Sequence, residues 1–252
     1  MKIDLTNKKV LITGASRGIG KAITEQMAEA GATVAIHYFK NDTVANDLAK
    51  KLSNGCQPFG ADLANPSEVT KLFDNVIESF GDLDILINNA GIALQSPIGT
   101  KDDQWLDDWQ TTLRVNLDAC ALLCKKALEL FSMKQKGKII NISSRAAFRG
   151  DTADYMAYAA SKGGMVALTR SIARAYGKFG ITAFNIAPGF TRTDMAQSFI
   201  DQYGEDFALR GVALDRLTEP KDIAPMVVFL ASGLADHATG CTIDINAASY
   251  VH

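Results

Sequence analysis

The chain has 252 residues, 47% of them hydrophobic and 21% charged, a balance that suits a globular protein with a substantial core. Its formal net charge of −2 provides no basic footprint for nucleic acid or an anionic membrane. No apolar run is long enough for a membrane span, the opening MKIDLTNKKVLITG lacks a secretory signal's apolar stretch, and the four cysteines form no C-x-x-C pairs. A cytoplasmic protein with free thiols and no metal site is expected.

In chain order, KKVLI predicts the first strand, and TGASRGIG (Thr13 to Gly20) leads from it into a helix over 18–30. Gly14, Gly18 and Gly20 permit a tight turn and close backbone approach. With Ser16, Arg17 and Ile19 between them, they place amide groups at a helix N-terminus, where a pyrophosphate binds. The spacing is G-x-x-x-G-x-G rather than the commoner G-x-G-x-x-G, so its position between strand and helix carries the reading. The second strand, TVAIHY, runs into FKND. An acid at its end would hold the ribose 2′-hydroxyl of NAD, but His37, Tyr38, Phe39 and Lys40 stand there. Arg17 and Lys40 suit a 2′-phosphate instead, so NADP(H) is expected in preference to NAD(H).

Helical patterns follow over 42–52, 66–80, 103–134, 154–178 and 219–232, interleaved with the strand candidates CQPFG, DILIN, GKIINIS, TAFNIA and CTIDIN. Such alternation predicts an α/β fold: one Rossmann-type domain over 1–252, with a doubly wound parallel sheet and helices on both faces. Cys120 and Cys124 share a helix face and read as core packing. The stretch 190–215 has weak helical pattern and no strand signal, and its position after a late strand suggests a substrate lid.

YMAYAASK, residues 155–162, places Tyr158 and Lys162 four apart on one helix face. A free phenol has a pKa of about 10, and a nearby ammonium favours phenolate, bringing the group toward acid–base work near neutrality. Tyr155 has Ala159 rather than a lysine four residues on, and reads as a pocket wall. Ser143 and Ser144 are adjacent on a strand and point opposite ways, so only one can face the site.

TGASRGIG, NNAG (Asn88 to Gly91), Asn116 in RVNL, Ser144, YAASK and PGFTRTDM occur in that order. Together they make the sequence resemble the short-chain dehydrogenase/reductase family over essentially its whole length, and most of all its 3-oxoacyl-[acyl-carrier-protein] reductase group. The resemblance implies a seven-stranded parallel sheet and a homotetramer in which 103–134 and 154–178 form an interface. It also implies that Asp62 and Leu63 touch the adenine, that Asn89, Ala90 and Gly91 line the cofactor, and that Pro188, Gly189, Thr191 and Thr193 hold the nicotinamide end. Tyr158 would be the proton donor to a carbonyl, Ser144 would bind the substrate oxygen, and Lys162 would also hold the nicotinamide ribose. Asn116 would hold a water that relays protons.

The resemblance makes the expected reaction NADPH-dependent reduction of a 3-oxoacyl group carried on acyl carrier protein or coenzyme A. The alternative is a dehydrogenase of a small polyol, sugar, hydroxy acid or cyclic alcohol. A cofactor-binding regulator is a third reading, although such proteins typically lose the tyrosine or lysine retained here. Lys134, Lys136 and Lys178 are candidates for carrier docking, but Phe179 occupies a place where a cation is expected. Arg145 and Tyr155, with Phe148, are candidate substrate contacts, and Arg145, Arg149, Arg192 and Arg210 could receive an anionic group. The Ser144-to-Tyr158 gap is one residue longer than the family's commonest spacing. Ala247 and Ala248 stand where glycines are common, which predicts a different local backbone, and Tyr250 or His252 could reach a neighbouring subunit.

Overall fold

Seven short runs of apolar and β-branched residues become strands: β1 (Lys9–Ile12), β2 (Thr33–Tyr38), β3 (Gln57–Gly60), β4 (Ile85–Asn88), β5 (Gly137–Ile142), β6 (Ile181–Pro188) and β7 (Thr242–Ile245). This computed structural model describes residues 3–52 and 54–251, so His252 lies outside the described residues. The strands form one parallel sheet in the order β3-β2-β1-β4-β5-β6-β7. The order reverses between β1 and β4, and the carboxyl ends of strands at such a reversal open a crevice for ligands.

The helices are α1 (Gly18–Glu29), α2 (Asp42–Leu52), α3 (Pro66–Phe80), α4 (Asp102–Leu113), α5 (Ala119–Lys134), α6 (Ala146–Arg149), α7 (Met156–Tyr176), α8 (Asp194–Tyr203), α9 (Glu205–Ala208) and α10 (Pro220–Ala231). Alternate strand residues feed opposite cores. Val10, Ile12, Ile36 and Phe184 pack with residues of α1, α2 and α10, while Leu11, Leu86 and Ile139 pack with α3, α5 and α7. Local chemistry sets the helix ends. The Asn65 side chain accepts from Ser67 N–H at 3.1 Å, Pro66 opens α3, and Gly81 at φ 73° stops it.

Three segments differ from the sequence reading. The expected helix 103–134 is broken by a π-helical turn, Arg114–Asp118. The stretch after β6 is not irregular but forms α8 and α9, closed at its base by a parallel bridge between Thr191 and Thr218. Ala247 and Ala248 do not avoid the left-handed region; they adopt it, at φ 50° and 54°. The turn holding them is pinned by Ala213 N–H to Ala247 O at 2.8 Å and by the Asn246 side chain to Tyr250 O at 2.9 Å. Among the described residues no helix is long and apolar enough to cross a membrane, and no group of three or more His, Cys, Asp or Glu could hold a metal ion.

Candidate active site

The glycine loop is shaped by contacts that leave no room for side chains. Gly14 and Gly18 have φ of 61° and 53°, and a Cβ on Gly20 would lie 2.1 Å from Gly14 O. Arg17, the residue before α1, makes no side-chain cap, so among the described residues the first-turn amides of Gly18, Ile19 and Gly20 have no hydrogen-bond acceptor. That cradle fits a dinucleotide pyrophosphate on Ser16, Gly18, Ile19 and Gly20. Two residues outside the expected set hold the loop. The Thr13 hydroxyl accepts from Asn89 N–H and Ala90 N–H, both at 3.0 Å, tying the NNAG turn to β1. His37 Nδ1 accepts from Gly14 N–H at 3.0 Å, and its Nε2 lies 3.1 Å from Ala61 O. Thr13 had a signal in its position at the head of the glycine motif, but His37 had none.

Asp62 follows β3 with Leu63 buried beside it, and Asp62 Oδ1 accepts from Ala64 N–H at 2.8 Å. Asn89 donates through Nδ2 to Thr13 O and Gly14 O at 2.9 and 3.1 Å, so it braces the glycine loop with its side chain. Tyr38 lies against Gly60, where an added Cβ would meet its ring and hydroxyl at 3.1 Å. Arg17 and Lys40 are exposed; Arg17 is 3.9 Å from Asp194 at the start of α8, and Lys40 lies over the Phe39 ring. On the far side of the crevice, Gly189 N–H donates to Ile245 O at 3.0 Å and Thr191 Oγ1 donates to Gly189 O at 3.0 Å. Thr193 begins α8 against the glycine loop, its methyl 3.4 Å from where a Gly18 Cβ would stand. Pro188 ends β6 and accepts from Arg145 N–H at 3.0 Å. The segment carrying Pro188 to Thr193 thus runs from beside Ser144 to the glycine loop.

Ser143 and Ser144 divide as their alternation requires. Ser143 is buried and donates to Ile186 O at 3.0 Å. Ser144 accepts from Ala146 N–H at 3.1 Å, and its hydroxyl acts on the Tyr158 phenol. The longer gap between them is taken up by α6, by Gly150 at φ 78° and by the 3-10 turn Ala153–Tyr155, which places half-buried Tyr155 at the head of α7. Lys162 is 3% exposed and donates to Ile142 O at 2.9 Å, with its Nζ 5.7 Å from the Tyr158 ring centroid. Asn116, fully buried in the π turn, accepts from Ile92 N–H at 2.8 Å and donates to Ile92 O at 2.9 Å and Ser161 Oγ at 3.0 Å. A Cβ on Gly91 would lie 3.3 Å from both Asn116 Oδ1 and Lys162 Nζ. Asn116, Gly91, Lys162, Tyr158 and Ser144 therefore form one continuous group.

The electrostatics correct one expectation. Burial pushes the Tyr158 phenol above its ordinary value, with the Ser144 hydrogen bond pulling it down and Asp151 pushing it further up. Lys162 is not among the groups that shift the phenol, and burial pushes the lysine itself down to about 8. An ammonium that is costly to hold charged is also a ready proton donor, so the pair is matched in a different sense from the one expected.

A family model described as enoyl-(acyl carrier protein) reductase matches residues 14–247. The 3-oxoacyl-[acyl-carrier-protein] reductase FabG of Vibrio cholerae is 36% identical over 250 residues, 99% of this chain and 100% of the relative. The chain is a short-chain dehydrogenase/reductase. As a member of that family it is an oxidoreductase of CH–OH groups that uses a nicotinamide cofactor. The FabG of Staphylococcus epidermidis RP62A is 34% identical over 97% of the chain and 100% of the relative. The 3-oxoacyl-[acyl-carrier-protein] reductase of Synechocystis PCC 6803 is 34% identical over 96% of both chains. Two solved structures share the fold of this short-chain dehydrogenase/reductase: a dehydrogenase/reductase from Sinorhizobium meliloti 1021, with TM-score 0.87 and 28% identity over 99% of this chain and 98% of that one, and gox2181, with TM-score 0.89 and 27% identity over 98% and 96%. The model's description names a carbon–carbon double bond as the target and the curated relatives name a ketone.

Proposed function

We propose that the chain is an NADP(H)-dependent reductase of 3-oxoacyl thioesters, working as a single domain whose α8–α9 segment serves as substrate lid. The observation that carries the reading is buried Lys162 with its Nζ 5.7 Å from the Tyr158 ring and Ser144 acting on the same phenol, in a chain whose full-length relatives are named for that reaction. A reduced nicotinamide held by the glycine loop, Asn89 to Gly91 and Pro188 to Thr193 would supply the hydride for the carbonyl carbon. Ser144 donates a hydrogen bond to the carbonyl oxygen, and Tyr158 passes its proton to that oxygen as charge develops. Lys162 faces the resulting phenolate and restores its proton, while the Asn116 amide holds the Ile92 backbone and Ser161 around it. Both Asn116 amide hydrogens are used in those bonds, so a relay water would rest on Oδ1 or on main-chain carbonyls.

NADP(H) over NAD(H) is supported by exposed Arg17 and Lys40 flanking the crevice and by the lack of an acid among residues 37–40 at the end of β2. A homotetramer is supported by apolar side chains left at the surface of the 102–134 segment: Leu106 and Met133 are exposed, and Trp105 stacks on Trp109 at 5.3 Å. Lys134 donates to the Asp82 carboxylate and to Leu83 O at 2.7 Å, so its charge is already neutralised, and Phe179 is exposed where a cation was expected.

The test is initial-rate assay with NADPH and NADH against acetoacetyl-coenzyme A, an acetoacetyl carrier-protein thioester and a panel of alcohols. NADPH-preferring reduction of a thioester is expected. Oxidation of a polyol or cyclic alcohol with no thioester turnover would replace this reading with the dehydrogenase one. Cofactor binding without turnover of any carbonyl or alcohol would point to a regulator.

A further inference from the structure

Four arginines lie on the segments around the crevice, and the structure separates them. Arg192 is ion-paired with Glu205 between the lid helices, so its charge is spent. Arg210 sits beyond α9, away from the Ser144 segment in sequence. Arg145 and Arg149 differ: among the described residues neither takes part in an ion pair or a side-chain hydrogen bond. Arg145 is half-buried and Arg149 exposed. They stand at the two ends of the short α6 turn, four residues apart, a spacing at which like charges repel.

Arg145 is also fixed at the reaction centre. It follows Ser144 directly, its N–H donates to Pro188 O at 3.0 Å, and its own carbonyl accepts from Phe148 N–H and Arg149 N–H, both at 3.1 Å. Its backbone therefore has little freedom to carry the side chain elsewhere. Asp151 acts electrostatically on both the Arg145 guanidinium and the Tyr158 phenol. Burial, with Arg149 adding to it, pulls the Arg145 guanidinium below its ordinary value, and Asp151 offsets this only in part. A half-desolvated cation with no acid in ion-pair contact costs stability wherever nothing compensates it. A guanidinium is also the side chain whose fork matches a carboxylate in a bidentate pair.

We propose that Arg145, supported by Arg149, is an anion-reading subsite that selects carbonyl substrates carrying a carboxylate within a few atoms of the reacting carbon. The proposal rests on the reading of Ser144 and Tyr158 as the reducing pair, and it narrows the substrate from plain acyl chains to carboxylated ones. The carboxylate could be that of a free 3-oxo acid or the far end of a short dicarboxylic thioester.

The experiment compares two matched pairs with NADPH: acetoacetate against ethyl acetoacetate, and the N-acetylcysteamine thioesters of 3-oxoadipate against 3-oxohexanoate. In the native protein the charged member of one pair is expected to have the higher kcat/KM by at least about tenfold, and the pair that shows it identifies the source of the carboxylate. Arg145→Gln should collapse that ratio, mainly through KM of the charged member, and Arg145→Lys should restore only part of it because the fork is lost. Near-equal rates within both pairs, or a ratio that survives Arg145→Gln, would overturn the subsite while leaving the reducing pair standing. Turnover of none of the four would overturn both.

Discussion

His37 offers a test whose size follows from two hydrogen bonds and one titration. The imidazole is 2% exposed, accepts Gly14 N–H on Nδ1 and places Nε2 on Ala61 O, an arrangement that requires the neutral ring protonated at Nε2. Burial pushes its pKa from 6.5 to about 4, with the Ala61 bond opposing. Because the folded value lies below the unfolded one, the unfolded chain takes up the proton first as the pH falls. The contribution is complete above the unfolded value and is lost as pH falls through the folded one. The linkage relation puts the loss at about 2 kcal/mol by pH 5 and about 3 kcal/mol by pH 4. Urea unfolding followed by circular dichroism at pH 7, 5 and 4 measures it, with His37→Gln as reference, since glutamine has an acceptor and a donor but does not titrate. The carboxylates are common to both proteins and cancel in the difference. The native protein should lose stability relative to the variant by those amounts. Parallel pH curves would show that His37 is not held neutral between the two loops.

Gly20→Ala forces a Cβ to 2.1 Å from Gly14 O, so the loop must move by about 1 Å, and cofactor affinity by fluorescence titration should drop by about tenfold to a hundredfold while circular dichroism stays native. Lys162→Met removes a buried lysine whose pKa lies near 8, below that of the unfolded chain. The native protein should therefore gain about 2–3 kcal/mol relative to this variant as pH rises from 7 to 10, and a flat difference in chemical denaturation would contradict a depressed Lys162. Ala248→Gly relieves a left-handed alanine at φ 54° and should raise stability by about 0.5–1 kcal/mol; a lower melting temperature would show that the alanine methyl packs more usefully than the strain costs.

The sheet was legible because each strand is a short apolar run bounded by breakers, and six long helical patterns separate those runs. The glycine loop and the Tyr158–Lys162 spacing were legible for the same reason: each is a local pattern whose geometry needs no tertiary information. The π turn at Asn116 was not, because its neighbours continue a helical pattern and the extra residue is stabilised by Ile92 and Ser161, which are 24 and 45 positions away. The role of His37 likewise depends on Gly14 and Ala61, brought together only by β2 packing between β1 and β3. The upward push on the phenol was not legible because i, i+4 spacing reports direction, whereas desolvation depends on the whole surrounding core. Alanines 247 and 248 were expected to move the backbone. Instead the Asn246 and Ala213 bonds impose the left-handed turn on them.

The central claim is that the Tyr158 phenol delivers the proton, and Tyr158→Phe removes that hydroxyl with the smallest change in shape. The measurement is kcat for NADPH-dependent reduction of acetoacetyl-coenzyme A, taken beside NADPH binding by fluorescence on the same preparation. The account predicts a fall in kcat of about 10²–10⁴-fold with NADPH affinity within a few-fold of native. A variant that binds NADPH and still turns over within tenfold of the native rate would contradict it.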